Sequence, residues 1–326
     1  AFLKRMRKLI DEYSPDTLLL SEANMWPEEV IEYFGSGDEM HMNFHFPLMP
    51  RLYMVLVKGD RTPIEEIFVR TPELPEGWQW GTFLRCHDEL TLEMVTPEER
   101  KWMWETYAPD PKLRFNQGIR RRLAPLVEND PRRILLLHSM LLTMVGSPFL
   151  YYGDEIGMGD NVDLFDRNGL RTPMQWDNSP NAGFSEAPAE RLYAPVISDP
   201  VYGFQKVNVS AQENDPHSLL NQVRHLIAVR KQYPAFGRGD FSWRTFSFES
   251  KAVVAYQRKW QNSRLVVLNN LRNVPVKGWI SETAEKFIDV LNGETILPGD
   301  YTLEPYGFVW LLPVNDNQDG KENLSS

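Results

Sequence analysis

Leu18-Leu19-Leu20-Ser21-Glu22-Ala23-Asn24 and Phe83-Leu84-Arg85-Cys86-His87-Asp88-Glu89-Leu90 each carry a short apolar run into a carboxylate. A barrel strand delivers an acid to its catalytic mouth in this way, at the C-terminal end of a buried extended segment. The two strings therefore set the frame in which the flanking sequence is read.

Residues 1–14 have amphipathic helical spacing, with Phe2, Met6, Leu9, Ile10 and Tyr13 on one face. Outward from there the pattern predicts strands over 17–21, 41–46, 80–85 and 149–152, and helices over 27–34, 51–58 and 132–145. Strands alternating with helices imply a parallel sheet with helical crossovers, so the expected class is α/β. Four such units make half of a (β/α)₈ TIM barrel. Ala1 stands inside the first helix with no capping residue before it, and the expectation is the C-terminal half, strands 5–8, of a longer protein's barrel, over residues 1–237.

Residues 157–216 are rich in Asn, Asp, Pro and Gly and are too long for an ordinary connector, which suggests a functional loop over the barrel mouth. A helix is expected over 218–232. From Phe241 the period changes to two, through Phe246, Phe248, Val253, Tyr256, Leu265, Phe287 and Phe308, and predicts a small antiparallel β-sandwich domain over 238–313. Residues 314–326 are polar and read as a disordered tail or linker.

The chain has 326 residues, a net charge of −10, 42% hydrophobic residues and one cysteine, Cys86. A single thiol excludes an internal disulfide and a thiolate zinc site and fits a cytoplasmic home. The acidic balance argues against nucleic acid as a partner, because backbone phosphates demand clustered cations. The Arg120-Arg121-Arg122 cluster reads as a paired or solvated helix face. No apolar run approaches the roughly 18 residues needed to cross a membrane, so no membrane partner is expected.

Glycoside cleavage needs a carboxylic acid to protonate the leaving oxygen and anionic groups to stabilise an oxocarbenium-like state. Glu22 ends an apolar strand beside Trp26, where desolvation would raise its pKa, although an acid at a helix N-terminus is an equally ordinary reading. His87 and Asp88 add the capacity to bind sugar hydroxyls and to counter positive charge. Glu93 is read as a solvated residue on the helix that follows, and Tyr151 and Tyr152 as barrel core.

Leu20-Ser21-Glu22-Ala23, Leu84-Arg85-Cys86-His87-Asp88, the run from Gly146 to Met158, and Arg171-Thr172-Pro173-Met174-Gln175-Trp176-Asp177 together resemble motifs of glycoside hydrolase family 13, the α-amylase superfamily. The likeness extends over roughly residues 1–313 and is strongest to the branch that interconverts maltose and trehalose. It implies Glu22 as general acid/base, Asp88 as transition-state stabiliser and His87 as a hydroxyl ligand, with Asn24, Glu89 and Arg171 touching the second sugar or closing the pocket. No redox cofactor is implied. A structural calcium is compatible with the family, its ligands lying mainly outside this chain, and no metal ligand is named here.

Two departures stand out: Cys86 occupies a position that is usually Asn in the family, and Met25 one that is usually polar. The family's nucleophilic Asp has no counterpart and would precede Ala1. The resemblance implies retaining, intramolecular glucosyl transfer between maltose and trehalose, with those disaccharides as partners and a homo-oligomer left open. Hydrolysis of maltose or isomaltose by an α-glucosidase is the alternative within the family. A non-catalytic sugar-binding remnant is the alternative outside enzymes.

Overall fold

The chain opens with α1 (Phe2–Tyr13), β1 (Leu20–Ser21), α2 (Pro27–Val30), β2 (Met42–Phe44), α3 (Leu48–Lys58), α4 (Thr62–Val69), β3 (Gln79–Phe83) and α5 (Pro97–Tyr107). Next come β4 (Arg114–Phe115), β5 (Gly118–Ile119), α6 (Leu123–Leu126), α7 (Pro131–Thr143) and β6 (Ser147–Phe149). The computed structural model describes residues 2–75, 77–243, 248, 250–280 and 284–315; Phe246 and residues 316–326 of the expected tail lie outside the described residues. Two units divide the chain: residues 1–54, 63–134 and 146–222 in the first, and 55–62, 135–145 and 223–326 in the second.

In the first unit four strands form a parallel sheet in the order β1-β2-β3-β6, and β4 and β5 form a separate antiparallel pair. The strands are shorter than their apolar runs. The last one was expected over 149–152 but pairs only through Ser147, Pro148 and Phe149, because its partner β3 stops at Phe83. Gly81 lies centrally in this sheet, where a Cβ would come within 2.9 Å of the Phe44 ring and 3.1 Å of Phe149. Its missing side chain lets Phe44 and Phe149 meet edge to face at 4.9 Å, and Phe44 and Phe83 at 5.0 Å. Among the described residues α1 buries none of its side chains, and Phe2, Leu9 and Tyr13 of its apolar face are exposed.

α4 and α5 are among the helices to which the sequence expectation gives no range. α4 follows Asp60, whose carboxylate accepts from the Thr62 amide at 2.8 Å. α5 starts with a capping box: Thr96 Oγ1 accepts from the Glu99 amide at 3.1 Å and Glu99 Oε2 from the Thr96 amide at 2.8 Å. That box fixes the helix start after Glu93, which lies in a turn rather than on a helix. The long 157–216 segment is mostly irregular, with short 3₁₀ turns at Asn168–Leu170, Pro180–Gly183 and Ala189–Arg191 before α8 (Val209–Glu213). It has a small apolar core of its own, in which Met158, Met174 and Ile197 pack with Ile156 and Leu220.

The remaining elements are α9 (Leu219–Gln232), α10 (Ala235–Arg238), β7 (Asp240–Trp243), β8 (Val253–Trp260), β9 (Ser263–Asn270), β10 (Val276–Ile280), β11 (Lys286–Asp289), β12 (Thr295–Ile296), β13 (Gly299–Leu303) and β14 (Phe308–Val314). A six-stranded antiparallel sheet, β12-β11-β14-β9-β8-β7, and the β10-β13 pair make the second unit's β-structure. Val253, Ala255, Val266, Leu268, Val309 and Leu311 of the large sheet share a core with Val276, Ile280 and Leu303 of the small one.

The other face of the large sheet is not solvated. Within this unit the α7 segment lies against it: Thr143 Oγ1 meets the Tyr256 hydroxyl at 2.5 Å and Trp310 Nε1 donates to Ser139 Oγ at 2.9 Å. Burial on both faces explains why Val253 to Arg258 are all buried and why Val253-Val254-Ala255-Tyr256 is a continuous apolar run instead of an alternating one.

Candidate active site

β1 and β3 flank β2 in a parallel ladder, so the loops that leave their C-terminal ends emerge on one side of the sheet. Glu22 follows β1 directly, and His87 and Asp88 follow β3 after a short extended stretch. The three side chains converge: His87 Nε2 is 3.8 Å from Glu22 Oε1 and 3.7 Å from Asp88 Oδ2. The burial expected for Glu22 is absent, since its side chain is 51% exposed. β1 has only two residues and Leu18 before it is itself exposed, so no apolar wall surrounds the carboxylate among the described residues.

Asp88 is held from several directions. Arg171 Nη2 donates to its Oδ1 at 2.5 Å and Arg171 Nε to the His87 carbonyl at 2.8 Å, while Arg167 Nε lies 3.2 Å from the same Oδ1. Beneath the loop, buried Arg85 donates from Nη2 to the Asp88 carbonyl and from Nε to the Arg121 carbonyl, each at 2.7 Å. Cys86 Sγ is 3.8 Å from the Asp88 carbonyl, a weak contact, and burial pushes its thiol up.

Glu89 is buried and pairs with Arg167, Nε to Oε2 at 2.6 Å, and with Asn116 Nδ2 at 2.9 Å. Burial opposes its charge, but the hydrogen bonds from Arg167 and Asn116 prevail and hold its carboxyl below the usual range. Asn24 Nδ2 donates to Thr91 Oγ1 at 3.2 Å and to Glu93, so the turn carrying Glu93 touches the loop carrying Glu22. Arg167, Asn116 and Glu93 had no place in the sequence-based site. Arg167 is 78 residues from Glu89, a separation no local pattern spans.

The basic cluster is not a helix face. Arg120 donates to the carbonyls of Val162, Leu164 and Asp166 at 2.9, 2.7 and 3.0 Å, and Asp160 accepts from Arg121 Nε at 3.0 Å and the Arg122 amide at 2.8 Å. These residues run in extended backbone after β5 and pin the segment that presents Arg167. Arg122 is fully buried, 3.8 Å from buried Asp154, whose carboxyl burial pushes up to about 7 against the pull of the Arg122 and Arg85 charges.

Tyr152, expected in the core, is 38% exposed and lines a cavity of about 540 Å³ with Arg171, Trp176, Phe184 and Tyr193. Its hydroxyl donates to the Thr172 carbonyl at 2.6 Å, which draws the ring out over the Arg171 segment. Partly buried Tyr151 turns its hydroxyl to the Leu170 carbonyl at 2.9 Å.

The family described as alpha amylase, catalytic domain, matches residues 115–239. The trehalose synthase/amylase TreS of Mycobacterium tuberculosis is 48% identical over 325 aligned residues, which take in 95% of this chain and 54% of that protein. A trehalose synthase of Pimelobacter is 45% identical across 99% of this chain and 60% of its own length. The chain thus spans about half the length of these curated relatives. Among solved structures, an α-amylase from H. orenii superposes with a TM-score of 0.70 at 23% identity, over 96% of this chain and 56% of that one, a likeness of fold.

Proposed function

Because the chain belongs to the α-amylase family, glycoside hydrolase family 13, we propose that it carries the acid/base and charge-stabilising part of a retaining glucosyl transfer that interconverts maltose and trehalose. Glu22 protonates the glycosidic oxygen of maltose as the C1–O bond breaks. The same group, now a carboxylate, takes the proton from the anomeric hydroxyl of the released glucose as that oxygen attacks the glucosyl C1 and displaces the nucleophilic carboxylate bonded to it, giving the 1,1-linked product. Asp88 counters the positive charge developing on the ring, and His87 binds a hydroxyl of the reacting glucose. Arg171 fixes the Asp88 carboxylate, and Asn24 and Glu89 bound the space for the second sugar.

The observation that carries this reading is the meeting of Glu22, His87 and Asp88 from two loops, with two arginines on Asp88. Double displacement also needs a nucleophilic carboxylate beyond these groups, and residues 1–326 span about half the length of the relatives. A half-barrel over 1–237 with a β-sandwich over 238–313, and a cytoplasmic home, belong to the same proposal; no helix among the described residues is long and apolar enough to cross a membrane. A structural calcium does not fit the Glu22, His87 and Asp88 cluster, because calcium takes about six to eight oxygen ligands and the cluster offers two carboxylates and an imidazole, with two guanidiniums on Asp88 Oδ1, and no step is assigned to it.

The test is incubation of the intact protein with maltose and chromatography of the products. Trehalose as the main product supports the proposal. Glucose alone would move the assignment to the α-glucosidase reading, and no turnover would favour the sugar-binding one.

A further inference from the structure

We propose that Arg51 is a positioning residue that locks the loop bearing Glu22 and Asn24 to the loop bearing His87 and Asp88. The inference rests on the catalytic reading of those two loops, and its structural half can be tested without it.

β2 is the middle strand between β1 and β3, so the first turns of the helix that follows β2 lie between the two catalytic loops. Arg51 stands there, in α3, and is 7% exposed. Its Nη1 donates to the Pro47 carbonyl at 2.7 Å, which anchors the guanidinium to its own βα connection, and to the Met94 carbonyl at 2.9 Å. Met94 adjoins Glu93, the residue bonded to Asn24, and ends the stretch that begins at His87.

On the other side, the Arg51 guanidinium lies 5.5 Å from the centre of the Trp26 ring, and Trp26 closes the Glu22 to Trp26 loop. Arg70 stacks on the same ring at 3.6 Å and is itself fixed by Glu28, 2.9 Å from Nε. One planar cation therefore ties three successive βα connections by donating to backbone and packing on an aromatic face. Both carbonyls are met by one nitrogen, so what a lysine would lack here is the flat guanidinium surface facing Trp26. Burial disfavours the Arg51 charge and lowers its pKa, and the Pro47 and Met94 carbonyls are the acceptors that compensate the buried guanidinium. The Glu22 to Asp88 distance is the quantity such a clamp sets, and misplacement of reacting groups by about 1 Å can cost of the order of 10²-fold in rate.

The experiment compares Arg51→Met and Arg51→Lys with the parent in the intact protein, by amide hydrogen exchange resolved to segments and by maltose kinetics. For Arg51→Met, exchange should rise at least about tenfold in both 22–26 and 88–95 and stay unchanged in 131–143. On maltose, kcat should fall by about tenfold or more with KM shifted less than about threefold, and glucose should increase relative to trehalose. Arg51→Lys keeps a cation on the carbonyls, should remain folded if the Met variant does not, and should fall between the two.

Acceleration in neither loop, in one loop only, or equally in 131–143 overturns the proposal, the last because it marks a general loss of stability. If the parent itself fails to convert maltose, the proposed function falls, and the exchange pattern still decides the role of Arg51.

Discussion

Around Glu22, His87 and Asp88 the chain is held by guanidinium groups donating to carbonyls and carboxylates, whereas around Tyr256 and Trp310 it is held chiefly by buried apolar side chains, with buried Arg258 donating to the Thr143 and Gly239 carbonyls as an exception. In the first region Arg51, Arg85, Arg120, Arg167 and Arg171 each reach a backbone oxygen or a carboxylate of a loop. In the second, Val253, Leu268, Trp310 and Leu311 are at most 1% exposed, and the polar atoms among them are paired inside the unit. The difference teaches which free energy each region uses. Half-exposed loops gain little from burial, so directional, charge-assisted hydrogen bonds set their geometry, while the sheet depends mainly on area removed from water.

The largest expected effect separates the two regions by function. Glu22→Gln in the intact protein should lower turnover of maltose by roughly 10²–10⁴-fold, the range for loss of a general acid. Its melting temperature should stay where it was, because the side chain is half-exposed. An active Glu22→Gln protein would remove Glu22 from the mechanism.

Trp310→Ala tests the other region. Deleting a fully buried indole beside Phe236, with ring centres 5.0 Å apart, should destabilise the protein by about 3–5 kcal/mol in a denaturant titration. The protein that remains folded should keep its KM. A loss below about 1 kcal/mol would mean that burial is not what holds the sheet.

A smaller effect is expected at the entry to α5. Thr96→Ala removes one half of the capping box and should cost about 1 kcal/mol with no change in product ratio. A change in the ratio would show that the cap also sets the preceding 88–95 turn.

The smallest effect concerns pH. The folded state holds Glu89 below its ordinary value of 4.5, so its ion pair adds stability that is fully present above about pH 4.5 and is lost as pH falls through the lower folded value. The stability gap between the parent and Glu89→Gln should therefore be flat above about pH 5 and narrow on further acidification. A gap that narrows toward alkaline pH would contradict the Arg167 pairing.

Much of this contrast was legible in the sequence, and some was hidden for identifiable reasons. The apolar runs before Glu22 and His87-Asp88 announced strand ends, and β-branched, period-two stretches after Phe241 announced the antiparallel unit. The Thr96-Pro97-Glu98-Glu99 box also announced α5, a local signal that the expectation did not use. Hidden were the partners of the site: Arg167 and Asn116 reach Glu89 across 78 and 27 residues, and a contact that distant leaves no periodic trace. Of the paired or solvated helix face read for the arginine triplet, the pairing holds, Arg121 with Asp160, and the helix does not, because spacing alone does not distinguish a cation facing water from one facing carbonyls.

By itself the sequence determined which segments extend or coil, and it placed acids at strand ends, because backbone preference and apolar periodicity are local properties. Tertiary structure alone decided that Glu22 is open to solvent, that Glu89 is already paired, that the 120–122 arginines fasten a loop, and that β8 is covered on both faces. Each of these depends on what the fold places within a few ångströms of a group, and burial and electrostatics follow that distance rather than separation along the chain.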